Sequence, residues 1–337
     1  MSGSRAAIVQ PSDEAIARAA DALADGRLVA FPTETVYGLG GNADDPAAVR
    51  AIFAAKGRPA DHPVIVHVHD AAMLDRWASS VPASARALAG ALWPGPLTLI
   101  VRKAASVDPL ITGGQDSVGV RVPSHPVAQR LLRAFHERGG RGVAAPSANR
   151  FGHVSPTCAD HVADDLGDSV ALIIDGGPCD IGLESTIVAC LDDEPTLLRP
   201  GGVPVEAITR VLGRPPRAAH AGAPRASGTL AAHYATRTQA MLVQPAALRA
   251  EIAQLDERDE RVAVLARTVV RPAGFTGAWI GAAFEPARYA HELYANLRAL
   301  DREDADVIVI EAVPDAPEWS AVRDRLMRAT HADDDRT

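Results

Sequence analysis

Short apolar runs alternate with amphipathic stretches along the first two hundred residues. Apolar runs bounded by Gly, Pro, Ser or Thr predict buried strands, whereas apolar positions three to four apart predict helices. We expect strands at Leu28–Phe31, Val64–Val68, Leu97–Val101, Val118–Val122, Val143–Ala145, Leu172–Asp175, Thr186–Val188 and Thr196–Leu198. We expect helices at Ser12–Ala24, Pro46–Ala55, Ala83–Leu92, Pro126–Arg138, Thr157–Leu166 and Pro204–Leu212. This alternation predicts an α/β domain, although it does not give the order of the strands.

A second alternation follows a linker. Residues 213–225 are rich in Pro, Arg, Ala and Gly, a composition typical of connecting segments. Beyond them we expect strands Met241–Val243, Val262–Leu265, Ala278–Ile280 and Val307–Ile310, and helices Pro245–Leu255, Pro286–Leu300 and Glu318–Ala329. This pattern predicts a small Rossmann-like α/β unit, but it lacks the Gly-x-Gly-x-x-Gly fingerprint of dinucleotide binding. The predicted organisation is a domain at 1–212, a linker at 213–237, a second domain at 238–331 and a tail at 332–337.

The overall composition is that of a globular protein. The chain has 337 residues, of which 47% are hydrophobic and 23% charged, and no apolar run approaches the ~20 residues that span a bilayer. The amino terminus has no basic segment followed by an apolar one, so we expect no secretory signal and a cytoplasmic location. The three cysteines have no C-x-x-C spacing, and we therefore expect reduced thiols with no zinc site.

The charge balance limits the possible partners. The net charge is −8, and acidic residues outnumber basic ones both before and after residue 210. Binding of nucleic acid without sequence preference depends on neutralising many phosphates, so this balance disfavours it. Any cationic site must therefore be local and formed by a few converging side chains.

One motif suggests such a site. The chain has only two lysines among its 34 basic residues, and one of them stands in Lys56-Gly57-Arg58, after an amphipathic helix. A compact ammonium beside a planar guanidinium suits phosphate. The polar loop Ser147-Ala148-Asn149 follows an apolar strand and can complete an anion pocket. The alternative, that Lys56 is a solvated cation at a helix end, is equally compatible with the pattern.

Other polar residues also lie at the ends of predicted strands. Thr33, Glu34 and Thr35 crowd an apparent turn at 32–40, which can recognise a small polar ligand or simply cap the next helix. Alternation along a strand places His67 and His69 on one face. They can form part of a metal site, although no matching Cys or carboxylate set is visible. Alternatively, His67 faces a ligand with His69 as a bystander, or each is a hydrogen-bonded core histidine.

A guanidinium stands inside an apolar strand at Arg121. If it is buried it needs an anionic partner, and a substrate carboxylate and an internal Asp such as Asp116 are equally good candidates. Ser185 follows a glycine-rich turn and Arg199 precedes another, where backbone amides can approach a ligand or merely turn the chain. The sequence has no Walker loop, no Gly-x-Ser-x-Gly and no His-Glu-x-x-His, which disfavours common ATPases, hydrolases and zincins.

Seven blocks, taken in order, resemble the YrdC-like family in its long, two-domain form, the threonylcarbamoyl-AMP synthases. The blocks are Phe31-Pro32-Thr33-Glu34-Thr35-Val36-Tyr37-Gly38-Leu39, Lys56-Gly57-Arg58-Pro59, Trp93-Pro94-Gly95-Pro96-Leu97-Thr98, Val120-Arg121-Val122-Pro123, Ala145-Pro146-Ser147-Ala148-Asn149, Glu184-Ser185-Thr186-Ile187-Val188 and Leu198-Arg199-Pro200-Gly201. The resemblance is dense over residues 10–212 and loose beyond them. It implies a twisted mixed α/β sheet around a concave, cationic cavity, followed by a smaller Rossmann-like domain.

The resemblance also implies an activity and a set of site residues. Members condense L-threonine, bicarbonate and ATP to threonylcarbamoyl-AMP and pyrophosphate, for the threonylcarbamoyladenosine modification of tRNA. The residues implied around L-threonine are Thr35, His67, Arg121, Ala145 and Ser185. Those implied around ATP are Lys56, Arg58, His62, Ser117, Ser147, Asn149, Ser155, Arg199 and Tyr234. Lys56 and Arg58 are the expected catalytic cations, with Mg²⁺ accompanying ATP and no protein metal site.

Two departures from the family pattern weaken particular assignments. The family's interdomain stretch usually contains a lysine and two prolines around His-Tyr-Ala; this chain keeps His233-Tyr234-Ala235 but has neither, so the contact between Tyr234 and ATP is less secure. The family often has Asn where this chain has His62.

The resemblance also bears on partners. It implies a downstream complex that transfers threonylcarbamoyl to tRNA, whereas the acidic balance implies that direct tRNA binding by this chain is weak or absent. A non-catalytic RNA-binding module and carbamoyl transfer in metallocentre maturation are the alternative functions. The acidic charge disfavours the first, and the lack of acylphosphatase-like and zinc-finger segments disfavours the second.

Overall fold

The computed structural model describes residues 6–331, so the expected tail at 332–337 lies outside the described range. The chain divides into two compact units, Met1–Phe151 with Pro156–Thr229 and Gly152–Ser155 with Leu230–Thr337. The division after Thr229 falls within the predicted linker. The short segment Gly152–Ser155, which lies inside the predicted first domain, groups with the second unit because Ala235 N donates to Gly152 O at 2.8 Å.

The first unit combines a large sheet with eight helices, counted among residues 6–229. Its strands are β1 Ala7–Val9, β2 Val29–Phe31, β3 Gly38–Asn42, β4 Ile65–His67, β5 Ala78–Ser80, β6 Leu97–Lys103, β7 Ser117–Arg121, β8 Val143–Ala144, β9 Leu172–Ile174, β10 Thr186–Ala189, β11 Thr196–Arg199 and β12 Arg217–Ala218. Its helices are α1 Asp13–Ala24, α2 Pro46–Lys56, α3 Leu74–Trp77, α4 Ala83–Leu92, α5 Pro109–Thr112, α6 Pro126–Glu137, α7 Ala159–Leu166 and α8 Val205–Leu212. Every strand and helix predicted for this part is confirmed, with ends that differ by one or two residues.

Eleven of these strands follow one path, with β5 paired to β6 at its side. The order is β1-β9-β2-β3-β8-β4-β7-β6-β10-β11-β12. Parallel pairs such as β4 with β7 occur beside antiparallel pairs such as β6 with β7. The sheet is therefore mixed, and β4, β7, β6 and β10, which carry several of the predicted site residues, are consecutive neighbours in it.

Strand β3 was not predicted from the sequence. The prediction of a turn over residues 32–40 is wrong for the part from Gly38 onward, which forms a strand. The run Gly38-Leu39-Gly40-Gly41 has low strand propensity, yet it pairs with β2 and β8 in the sheet. A Cβ on Gly40 would lie 2.8 Å from Phe31 Cε1 and 2.9 Å from Val143 Cγ1. Glycine is needed here because a neighbouring ring and a branched side chain occupy the space of a side chain. Only Pro32–Tyr37 remains as the connecting loop.

Helix α2 delivers the Lys56-Gly57-Arg58 motif at a defined place. Asp45 caps its first turn by accepting from Ala47 N at 2.8 Å, and Pro46 occupies the first helical position. Gly57, with φ of 65°, ends the helix in the left-handed conformation. Lys56 is therefore the last residue of a capped helix, and Arg58 begins the loop that follows.

Apolar side chains cover both faces of the sheet. On one face, α1 and α6 contribute Leu23 and Leu131 to a core with Phe31 of β2. On the other, Ile52 and Trp77 pack with strand residues of the main cluster. Each of these side chains contributes roughly 1.5–3 kcal/mol by leaving water, so the strands that carry the polar site residues are held from both sides. Among residues 6–331 no helix has the length and apolar character needed to cross a bilayer.

The second unit is a smaller α/β layer. Its strands are β13 Gln239–Val243, β14 Val262–Ala266, β15 Trp279–Gly281 and β16 Val307–Glu311, and its α-helices are α9 Leu248–Asp256, α10 Pro286–Leu300 and α11 Ser320–Ala329. The strands are all parallel, in the order β13-β16-β14-β15. The predicted second alternation is confirmed. The only substantial shift is that α9 begins at Leu248 and not at Pro245.

A buried carboxylate joins the carboxyl ends of β14 and β16. After β14 the chain continues to β15 on one side of the sheet. After β16 it continues to α11, which packs against β13 on the other side. Open α/β sheets usually bind ligands at the point where successive connections run in opposite directions. Here Glu311, which is fully buried, accepts hydrogen bonds from the N–H groups of Arg267, Thr268 and Val269 and from the Thr268 hydroxyl. An internal carboxylate thus occupies three backbone donors of the kind that otherwise bind phosphate.

We expect Glu311→Gln to destabilise the second unit by about 2–4 kcal/mol, because the amide loses its charge and directs N–H groups toward backbone donors. Hydrogen bonding to Thr268 and to backbone N–H groups overcomes the effect of burial and holds the pKa of Glu311 below its usual 4.5. The stabilisation is therefore complete above that usual value and is lost as the pH falls through the lowered pKa. Hydrogen exchange of peptides spanning β14 and β16 measures the difference.

Glu318→Gln is the matched control, because Glu318 is exposed and loses the same charge. Equal protection in the Glu311 variant and the control would contradict a stabilising role for the buried carboxylate.

Candidate active site

Lys56 is buried and ties helix α2 to the loop after β8. Its Nζ donates to Ser147 O at 2.6 Å, to Asn149 O at 2.6 Å and to Asn149 Oδ1 at 3.4 Å. Three acceptors match the three protons of an ammonium. Burial, and then the charge of Arg58, lower the pKa of Lys56. The geometry makes Lys56 the support of the 147–149 loop, and the alternative of a solvated cation at a helix end is wrong.

Two predicted phosphate ligands meet at a residue of the linker. Arg199 Nη1 donates to Ser227 O at 2.7 Å, and Arg58 Nη2 lies 3.4 Å from Ser227 Oγ while it donates to Pro63 O at 2.8 Å. The Arg58 guanidinium also lies 5.5 Å from the ring centre of Phe151. Both guanidinium groups are buried and converge on one serine. The structure therefore brings two cations from distant parts of the chain together.

The linker segment around Ser227 covers one face of the sheet. The space between Ser227 and strand residues that include Ile65, Thr98 and Gly119 has a volume of about 10 Å³. That is about the volume of one water-sized probe. Ser227 is therefore packed closely against these strand residues.

The other guanidinium of the site, that of Arg121, has three partners. Its Nε donates to Gly95 O at 3.3 Å, its Nη1 donates to Thr35 Oγ1 at 2.9 Å, and its Nη2 lies 2.7 Å from Glu34 Oε1. The Thr35 hydroxyl is 2.8 Å from that of Thr33. The ion-pair partner is thus Glu34, which corrects the expectation of Asp116 as the internal acid. The sequence pattern could not give this pair, because it joins a loop to a strand 87 residues away along the chain.

Ser185 lies at the start of β10, in a fully buried hydroxyl pair. Its Oγ is 2.8 Å from Thr98 Oγ1 on the adjacent strand β6, and Arg199 Nη2 donates to Ser185 O at 2.9 Å. Thr98 belongs to one of the seven blocks that resemble the family, but the resemblance assigns no role to it. Burial of a threonine hydroxyl beside an expected substrate residue shows that it positions Ser185. Its signal in the sequence was a polar residue at the start of the apolar run Leu97–Val101.

His67 and His69 belong to different surroundings. His67 lies opposite Arg121 in β7 and packs edge-on against Phe31, with ring centres 6.4 Å apart. His69 is half-exposed and stacks on His136 at 4.4 Å. Burial, followed by the charge of Arg121, lowers the pKa of His67 to about 3. The imidazole is therefore neutral at physiological pH, but it is too weak a base to hold a proton there.

The remaining predicted residues of the first unit lie around these groups. Ser147 forms a bridge with Gly38 of β3, and the Cβ of Ala145 lies 3.4 Å from where a Gly38 side chain would begin. Ser117 begins β7 and lines the small space under Ser227. His62 packs against Phe151, with ring centres 5.3 Å apart. Burial, and then Arg58, lower the pKa of His62.

Ser155 and Tyr234 belong to the second unit and are buried there. Tyr234 has a φ of 63°, which is unusual for a residue with a side chain. Its ring stacks on Tyr294 at 5.7 Å and lies 5.2 Å from the Arg325 guanidinium. In this structure the phenol is therefore part of an aromatic cluster. Among residues 6–331 no group of three or more His, Cys, Asp or Glu residues is placed to hold a metal ion.

Two family models match consecutive parts of this chain. Residues 21–201 match a family model described as telomere recombination, which covers Sua5, YciO and YrdC, and residues 203–331 match the model of the threonylcarbamoyl-AMP synthase C-terminal domain. The threonylcarbamoyl-AMP synthase of Bacillus subtilis is 40% identical over 331 residues, which cover 94% of this chain and 93% of the relative.

Solved structures from Pyrococcus abyssi are similar over the same length. Sua5 complexed with L-threonine is 39% identical and has a TM-score of 0.86, with 95% of each chain covered. A Sua5 variant in which a His and a Tyr are replaced by alanine is 38% identical and has a TM-score of 0.87, over 95% of this chain and 93% of that one.

Proposed function

This chain belongs to the threonylcarbamoyl-AMP synthase family, and we propose that it condenses L-threonine, bicarbonate and MgATP to threonylcarbamoyl-AMP and pyrophosphate. The observation that carries the proposal is a pair of buried clusters in the first unit: Arg121 with Thr35 and Glu34, and Arg199 and Arg58 with Ser185 and Ser227. The first cluster suits a carboxylate and a hydroxyl, and the second suits a polyphosphate. The product is an activated threonylcarbamoyl group that a downstream transferase complex delivers to tRNA.

Arg121 is suited to the carboxylate of threonine. A guanidinium has five N–H donors in a fixed plane. In Arg121 the Nε group donates to Gly95 O, one N–H on Nη1 donates to Thr35, and one N–H on Nη2 faces Glu34. One N–H on each terminal nitrogen therefore remains for a bidentate grip. Thr35 and Ser185 then offer hydroxyl partners to the threonine side chain or carboxylate.

The phosphates of ATP belong with Arg58 and Arg199. The neutral threonine amine attacks the carbon of bicarbonate, and one bicarbonate oxygen leaves as water with the amine proton, which gives the carbamate. A carbamate oxygen then attacks the α-phosphorus, and pyrophosphate leaves with its charge stabilised by the guanidinium groups. Lys56 does not contact the phosphates in this proposal. It positions the 147–149 loop through its hydrogen bonds to Ser147 O and Asn149 O. His67 lies opposite Arg121 on the neighbouring strand and is neutral at physiological pH, because burial and the charge of Arg121 lower its pKa.

The alternatives fit this chain less well. A non-catalytic RNA-binding module would need a basic surface, and the net charge is −8. The metallocentre role belongs to larger proteins, whereas this chain spans 93% of its curated bacterial relative. Weak direct tRNA binding, a cytoplasmic location and the domain limits at 212 and 237 stay predictions. We also expect the second unit to bind no nucleotide of its own, since Glu311 occupies its phosphate-type donors.

The test is pyrophosphate release by the purified full-length chain. We expect release, with formation of an AMP-linked product, only when L-threonine, bicarbonate and MgATP are all present. Each omission should reduce the rate to background, because the carbamate forms from two of the substrates before it attacks the third. Turnover that is equal with L-serine and independent of bicarbonate would contradict the proposal, and a strongly salt-dependent affinity for tRNA without pyrophosphate release would favour the RNA-binding alternative.

A further inference from the structure

Glu34 is a buried acid to which the sequence resemblance assigns no role. Only 4% of the residue is exposed, and its ion pair with Arg121 is enclosed on both sides, since both side chains are 5% exposed. Neither carboxylate oxygen of Glu34 has a hydrogen bond of good geometry among residues 6–331. Its interaction with Arg121 is therefore mainly electrostatic, and the carboxylate, which can accept about four hydrogen bonds, keeps capacity for a further donor.

Stability alone does not explain why the Glu34–Arg121 ion pair is buried. Taking two charges out of water costs about as much as their attraction returns, so a buried ion pair is weak evidence for stability. Glu34 is also adjacent in sequence to Thr35, whose hydroxyl is a partner of Arg121. The acid thus lies against the two groups that the proposed function assigns to threonine.

We propose that Glu34 recognises the α-ammonium group of L-threonine, while Arg121 holds the carboxylate. This inference rests on the proposed function. A free amino acid carries one positive and one negative group on neighbouring atoms, and the Glu34–Arg121 pair presents the complementary charges side by side. Each charge of the ligand then gains a partner in a site that excludes water, where such contacts are strongest. Glu34 is a specificity-determining residue that selects zwitterionic amino acids over hydroxy acids.

The ionisation of Glu34 is compatible with this role. Arg121, with backbone N–H groups of Glu34 and Ser124, outweighs burial and holds the pKa of Glu34 below its usual value. The other titratable groups that face it are His125 and Cys179. Burial lowers the pKa of His125 and raises the pKa of Cys179, so both are neutral at physiological pH. Glu34 therefore stays negatively charged at physiological pH and can pair with a cationic group.

The experiment compares two ligands on the full-length protein. Calorimetry gives the affinities of wild type and Glu34→Gln for L-threonine and for 2,3-dihydroxybutanoate, which has a hydroxyl in place of the amine. We expect the variant to bind L-threonine about ten-fold or more weakly, a loss typical of one charged contact, and to bind the hydroxy acid as well as wild type does. ATP affinity should not change. Glu137→Gln, which removes an exposed carboxylate, is the control.

The two ligands distinguish recognition of the ammonium group by Glu34 from positioning of Arg121 by Glu34. If Glu34 merely positioned Arg121, both ligands would lose or gain affinity together, and that result overturns the inference. Should Glu34→Gln fail to fold, the wild-type protein decides: it must bind L-threonine about ten-fold or more tightly than the hydroxy acid, and equal affinities overturn the inference. Failure of the wild type to bind L-threonine at all would instead count against the proposed function.

Discussion

Replacing Arg121 by lysine is expected to lower kcat/KM for L-threonine by about a thousandfold or more, or roughly 4 kcal/mol, the scale found when one partner of a buried charged contact is removed. The guanidinium reaches Gly95 O, Thr35 Oγ1 and Glu34 in three directions at once. An ammonium is a point charge and cannot reproduce that fork. The affinity for ATP should change little. Pyrophosphate release at varied threonine, with calorimetry for ATP, measures both effects.

Arg130→Lys is the control for this experiment. Arg130 pairs with Asp13, and both side chains are exposed, so the same substitution there should leave kcat/KM within about a factor of two, as is usual for surface ion pairs. If Arg121→Lys kept normal threonine kinetics, or weakened ATP as much as threonine, the assignment of Arg121 to the carboxylate would be wrong.

Much of the fold could be predicted because its signals are local. Periodicity and capping depend on residues a few positions apart, and helices Ala83–Leu92 and Pro286–Leu300 have the predicted bounds. The glycine-rich strand Gly38–Asn42 was missed since its place depends on Phe31 and Val143, which fill the space above Gly40. Strand order was not predictable for the same reason: it is set by contacts between residues far apart in the chain.

The candidate site was predictable as a set of residues but not as a set of contacts. The cations Lys56, Arg58 and Arg199 were identified, yet the structure gives them different surroundings. Lys56 donates to two backbone carbonyls and to the side-chain oxygen of Asn149, whereas Arg58 and Arg199 share Ser227. Ser227 lies in a segment that composition marks only as a linker. No local pattern shows that a linker serine reaches two arginines, because that contact depends on the whole fold.

Under the proposed function, the contacts of Ser227 couple ATP binding to the position of the linker. Ser227 O accepts from Arg199, and Ser227 Oγ both lies beside Arg58 and donates to Pro63 O at 2.8 Å. A phosphate oxygen is a stronger acceptor for a guanidinium than a neutral carbonyl. Under the proposed function, the ATP phosphates replace the contacts that Ser227 makes with Arg58 and Arg199.

Replacing Lys56 by methionine is expected to have the second large effect, a fall in kcat of about a hundredfold or more, the scale seen when preorganised charge or positioning is lost. Methionine fills much of the volume but leaves Ser147 O and Asn149 O without their donor, at 2.6 Å each in the wild type. Loss of buried hydrogen-bond partners should also lower the free energy of unfolding by about 1–3 kcal/mol. Single-turnover product formation and urea unfolding measure the two effects.

Lys103→Met provides a matched control, since Lys103 is the other lysine of the chain. Its Nζ donates to Val107 O at 3.3 Å in a half-buried position away from the cluster. We expect unchanged kcat for this variant, because no site residue depends on that contact. A Lys56→Met protein that was less stable but fully active would show that the ammonium supports the fold and not the reaction. A protein of normal stability with lost activity would instead mean that Lys56 leaves its carbonyl partners and contacts the phosphates directly.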